Sequence, residues 1–108
     1  MTQQRLQFDA YYEGFSITAP KGPAPRRLTV ILTNFRQEPG VVSVTSQVNH
    51  GYPMWDIALA ASCDRDRLRQ ILNILEARLI DYSITYHVGT PQVGREQFMS
   101  TVLGARPR

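Results

Sequence analysis

The chain has 108 residues, 43% of them hydrophobic and 19% charged, with a formal net charge of +3. That length fits one domain that can bury a core without staples, and the composition excludes a wholly disordered chain. A charge this small does not mark a dedicated nucleic-acid binder, although eleven of the twelve basic residues are Arg, whose planar fork suits carboxylates and phosphates.

The start, MTQQRLQFDAYYEG, has no basic stretch followed by an apolar one, so it does not read as a secretory signal. The longest uninterrupted apolar run, IALAA at 57–61, is far short of a membrane span. Cys63 is the single cysteine, which rules out an intrachain disulfide and a Cys/His metal cluster. A cytoplasmic protein without cofactor is the expectation.

The first predicted element is a strand at FDAYY, 8–12, followed by a long loop, GFSITAPKGPAPRR at 14–27. Loops of this length in compact domains are often functional. From Arg26 the chain then writes one phrase twice, forty residues apart: RRLTVILTNFRQEPGVVSVTSQV and DRLRQILNILEARLIDYSITYHV. In the second copy Leu68, Ile71, Leu72, Leu75 and Leu79 keep the spacing of a helix with one buried stripe. Asp64 or Ser62 can cap its start. Tyr82, Ile84, Tyr86 and Val88 then alternate with polar residues, which predicts a half-buried strand.

The first copy is ambiguous alone, because LTVIL is β-branched. Leu28, Ile31, Leu32 and Phe35 nevertheless keep helical spacing, Pro39-Gly40 supply a stop, and a strand follows over 41–48. Asn49-His50-Gly51-Tyr52-Pro53 reads as a hairpin turn, and WDIAL, 55–59, as the next strand. The predicted order is strand, helix, strand, strand, helix, strand. Such halves interlock as a ferredoxin-like split βαβ domain over 1–88: α+β, a four-stranded antiparallel sheet with two helices on one face. The tail, 89–108, carries a short helix at about 95–103 with Phe98/Val102 and Met99/Leu103 as apolar i, i+4 pairs that need a docking surface.

Strand phase assigns Leu6, Phe8, Ala10, Tyr12, Val42, Val44, Trp55, Ile57, Leu59, Ile84 and Val88 to the core. The other face carries Asp9, Tyr11, Ser43, Thr45, Asp56, Ala58, Ala60 and His87 among others. In the split βαβ plan Asp9 and Asp56 lie on neighbouring central strands with His87 beside Asp9. Two close carboxylates can share a proton or bind a divalent cation, and a His could act as base. The blander reading is a wet polar face. Between these, the small residues Ser43, Ala58, Ala60 and Ser83 let a second sheet or the tail helix approach closely, which manages an exposed sheet.

Lys21, Arg26 and Arg27 flank the long loop and the first helix start, where an anion could sit, but no GxxxxGK[ST] or GxGxxG pattern is present. Arg65, Arg67 and Arg69 interleave with Asp64 and Asp66; a solvated face is the simpler reading and a partner patch the second. RNA recognition on such a sheet uses aromatic residues on the open face, and phase leaves only Tyr11 there. In order and length, residues 5–88 resemble small regulatory domains of the ACT type, which bind metabolites between subunits. The resemblance is architectural and implies no site residue, and the glycine turn such domains use after the first strand is replaced by the 14–27 loop.

The functional expectation is a small non-enzymatic interaction or regulatory module, a homodimer or a subunit of a larger assembly, with Ser43, Thr45, Ala58, Ala60, Phe98, Met99, Val102 and Leu103 at its interface. The alternatives are an enzyme using Asp9, Asp56 and His87, and polyanion or nucleic-acid binding through the Arg-rich helix starts.

Overall fold

A computed structural model describes residues 4–104. Its elements are β1 (Gln4–Tyr11), β2 (Gly14–Thr18), α1 (Arg26–Asn34) prolonged by a 3-10 turn (Phe35–Gln37), β3 (Val41–Asn49), β4 (Tyr52–Leu59), α2 (Arg65–Arg78), β5 (Tyr82–His87), β6 (Gln92–Val93) and α3 (Arg95–Val102). The strands form one mixed sheet in the order β3-β4-β2-β1-β5-β6. β1 and β5 run parallel and the other neighbours antiparallel.

This corrects the expected fold. The sheet has six strands, not four, it is mixed, and three helices accompany it. The error starts in the supposed loop. GFSIT is a strand, with Phe15 and Ile17 fully buried. A two-residue turn, Tyr12–Glu13, folds it back on β1 with Tyr11 opposite Gly14. Glu13 takes a left-handed φ of 62°, uncommon for a residue with a Cβ. Its amide donates to the Val102 carbonyl at 2.8 Å and its carbonyl accepts from Leu59 N at 2.8 Å, so neighbouring elements hold it there. Because β2 enters the sheet between β1 and β4, the four-stranded plan fails, and the likeness to ACT-type domains, which rested on that plan, fails with it.

The twice-written phrase has a different meaning from a ferredoxin-like dyad. Its copies fall on α1–β3 and α2–β5, each a helix returning to the sheet. The first crossover passes over β4 and the second over β2 and β1. The helical reading around Ile31 holds, with Leu28, Leu32 and Phe35 fully buried. In α2, Leu68, Ile71, Leu72 and Leu75 form the buried stripe, and the Asp64 carboxylate caps the start by accepting from Arg67 N at 2.9 Å.

One core lies between the helices and one face of the sheet. β1 contributes Leu6 and Phe8, β2 Phe15 and Ile17, and β4 Trp55, Ile57 and Leu59. Three inward assignments fail. Val88 lies past the end of β5 and does not pack against the core. Tyr12 is exposed at the turn, and Val42 is exposed because a bulge sits between Val41 and Ser43. The helix expected at 95–103 forms, but not as a free tail: Phe98, Met99 and Val102 are buried in the same core. Phe98 meets Tyr86 at 4.8 Å, Phe15 at 5.6 Å and Phe8 at 6.4 Å between ring centroids. The far ends of the expected domain and tail, 1–3 and 105–108, lie outside the described residues.

Above this cluster the Tyr86 hydroxyl donates to the Glu76 carboxylate, which also receives Arg95 at 3.3 Å. Burial first, then the Glu76 hydrogen bond and charge, push the Tyr86 phenol far above its ordinary range. The folded state then keeps a proton that the unfolded chain loses above pH ~10. Stability from this group is complete below that pH and declines as pH rises further. Chemical denaturation at pH 9 and pH 11 is expected to show this decline, and Tyr86→Phe to make it shallower. An equal alkaline decline in the variant would assign the effect elsewhere.

Candidate functional site

The open sheet face is polar by register. One transverse row reads Thr45, Asp56, Ser16, Asp9, His87 and Gln92 across the six strands. Asp9 and His87 are neighbours, as expected. Asp9 and Asp56 are not, because Ser16 of β2 stands between them, which separates their backbones by two strand spacings, roughly 10 Å. They therefore form no proton-sharing dyad. Asp9 Oδ1 accepts from Gly89 N at 3.1 Å, and Asp56 Oδ2 from Gln47 Nε2 at 2.7 Å. The His87 ring lies 3.0 Å from Thr85 Oγ1 and 3.4 Å from Thr90 O. Each of the three thus bonds within its own surroundings. Among the described residues no group of three or more His, Cys, Asp or Glu is placed to hold a metal ion.

The hollows do not gather these residues. One on the helix side, about 460 Å³, is lined by Val30, Ile31, Asn34, Gln37, Glu38 and Arg78. Its Glu38 is tied to Arg67 and Arg78, both at 3.3 Å. A second, about 210 Å³, lies against Arg5, Gln7, Thr18 and Tyr52. The third, about 40 Å³, touches Glu13, Cys63 and Val102, and its size is that of a few waters, far below a metabolite pocket. Burial, with help from Asp64, pushes the Cys63 thiol up against an opposing pull from Arg67, so the nucleophilic thiolate is disfavoured.

The basic residues are placed apart or paired. Arg27 reaches Asp81 at 2.7 Å, Arg65 reaches Glu96 at 2.9 Å, Arg67 reaches Glu38, and Arg69 reaches Asp66 at 3.2 Å. The Lys21 stem lies over Gly51, beside the β3–β4 turn, and α1 starts at Pro25 without a side-chain cap. Lys21, Arg26 and Arg27 are therefore not drawn into one anion cradle. No helix of the described residues is long and apolar enough to cross a membrane.

The interface residues divide. Thr45 is exposed on β3, and Ser43, Ala58 and Ala60 are half-buried nearby. Phe98, Met99 and Val102 face the chain's own core, with Leu103 packed against it. The feature that sequence reasoning left unused is the outer edge of β3, a strand that the four-stranded plan also placed at a border. At the opposite sheet edge β6, two residues long, pairs only Tyr86 and His87 of the six-residue β5. β3 is nine residues long, VVSVTSQVN, with no charge, Pro or Gly. Its β-branched, uncharged composition was the available signal of an edge open to pairing.

Backbone bonds show which groups of β3 are unpaired. Pro53 O accepts from Ala19 N at 2.9 Å and Leu59 N donates to Glu13 O, so the odd residues of β4 turn toward β2. The even residues Met54, Asp56 and Ala58 turn toward β3 and face Gln47, Thr45 and Ser43. By the alternation of an antiparallel ladder, the N–H and C=O groups of Val44, Ser46 and Val48 point away from the sheet. Val42 and Val48 beside them are 65% and 73% exposed. The two-residue turn that ends β3 has His50 and Gly51 both at positive φ, 53° and 83°, the I′ geometry that keeps a hairpin in tight register.

No family model, curated protein or solved structure matches this chain.

Proposed function

We propose that the protein is a non-enzymatic interaction module that joins another chain by strand addition, acting as a homodimer or as a subunit of a larger assembly. One observation carries this reading: a nine-residue, uncharged edge strand with three consecutive outward backbone positions and two exposed valines. Such an edge is a template for another strand, and proteins that keep their edges to themselves shorten, charge or cover them. Main-chain bonds supply affinity in this mode, and alternate side chains supply selectivity.

The test is native mass in extracts of the protein's own cells. The chain is expected to elute well above its own 12.3 kDa, and Ser46→Pro to shift it toward that mass. The substitution is chosen because Pro is tolerated on an edge strand where the N–H faces away from its neighbour. A wild-type chain that elutes as a monomer both in extract and when purified overturns the reading. Replacing Asp9 and Asp56 together by Asn is expected to leave the eluting mass unchanged and stability within about 0.5 kcal/mol, since neither residue belongs to the edge. A loss of assembly in that variant would move the interface to the open face.

A further inference from the structure

We infer that the occupant of the β3 edge is a second copy of this chain, paired antiparallel about a twofold axis at Thr45, so that two sheets join into one of twelve strands. The inference rests on the interaction reading above and names its partner.

Charge is the first feature that favours self-pairing. Val41–Asn49 carries none, so two copies meet without the like-charge repulsion that usually disfavours identical strands. Register comes next. Outward-facing residues must meet outward-facing residues, because only their N–H and C=O groups are unpaired. A twofold axis at Thr45 sets Val44 opposite the other copy's Ser46, and Ser46 opposite the other copy's Val44. Thr45 meets its own equivalent in a non-hydrogen-bonded pair, where side chains approach closest, and Thr–Thr is a favourable cross-strand pair. The same axis brings Val42, the bulge residue, opposite Val48. The two most exposed valines of the strand then cover each other, which removes apolar surface from water.

Closure follows from the symmetry. A twofold interface uses the same surface on both copies and stops at two. At the far edge of each copy β6 pairs only Tyr86 and His87 of the six-residue β5, and that edge takes no part in the twofold contact. Because each copy covers the other's β3 edge, the same nine residues give a closed pair.

The experiment uses the purified full chain. Light scattering is expected to return twice the 12.3 kDa chain mass, and Ser46→Pro to return the single mass with an unchanged far-ultraviolet spectrum. Thr45→Cys is expected to form an intermolecular disulfide on mild oxidation, whereas Gln47→Cys forms at least tenfold less; the native Cys63 is buried. A purified monomer at all concentrations overturns the self-pairing. If native extracts then still show a larger assembly sensitive to Ser46→Pro, the occupant is a different chain and the interaction reading stands. A dimer indifferent to Ser46→Pro places the contact elsewhere, and equal cross-linking at 45 and 47 overturns the axis. Should Ser46→Pro fail to fold, the paired cysteine variants decide on their own.

Discussion

Phe98→Ala is expected to lower stability by about 3–5 kcal/mol and the melting temperature by more than about 10 °C. Phe98 is fully buried and touches three other aromatic rings, on β1, β2 and β5. Removing it takes away both transferred apolar area and ring-to-ring contacts, and the cavity cannot collapse easily because its walls are strands. The polar ties of α3 remain: Arg65 to Glu96 and Ser100, both at 2.9 Å, and Arg95 to Asn73 at 2.6 Å. These are part-exposed and worth little each, so they do not hold the helix alone. Denaturant unfolding measures the loss, with Gln97→Ala, exposed on the same helix, expected within about 0.5 kcal/mol of wild type. A Phe98→Ala loss below about 1 kcal/mol would mean that α3 does not seal the core.

Gly14→Ala is the second large effect, at about 1–3 kcal/mol. A Cβ at Gly14 would lie 2.5 Å from Tyr11 Cε1 and 2.7 Å from the Ile57 carbonyl oxygen. The Tyr11 ring covers the glycine across the β1–β2 pair, and its hydroxyl donates to that same Ile57 oxygen at 3.4 Å. Burial, with a contribution from the Asp56 charge, raises the Tyr11 phenol, in keeping with a ring laid down on the sheet. The ring can swing away but the Ile57 carbonyl belongs to the neighbouring strand. Tyr11→Ala in the Gly14→Ala background is therefore expected to recover only part of the loss in thermal unfolding. Full recovery would show that the ring alone sets the constraint.

The length and surroundings of β2 explain why it escaped sequence reading. GFSIT alternates inward Phe15 and Ile17 with Ser16, a strand pattern, but it is five residues long and runs directly into APKGPAP. Short apolar alternation beside a Pro- and Gly-rich run reads as loop. The forty-residue repeat reinforced that reading, since it accounts for both helices and for β3 and β5 without needing another strand. The candidate site moved with it. Asp9 and His87 kept their adjacency because β1 and β5 are neighbours, and Asp9 and Asp56 lost theirs because β2 separates them.

The local pattern of side chains was enough to specify α2 and α3, the hairpin at His50-Gly51 and the inward faces of β1, β4 and β5, and the forty-residue repeat added α1. Those features depend on spacing along the chain, where periodicity of 3.6 or 2 sorts apolar from polar residues. Strand order, the mixed direction of the sheet and the destination of the tail helix depend instead on which distant surfaces fit together. The four-stranded plan put VVSVTSQVN at a border for the wrong reason, with the wrong set of neighbours; a strand paired on two sides and a strand paired on one can share the same residues, and only the tertiary neighbours tell them apart.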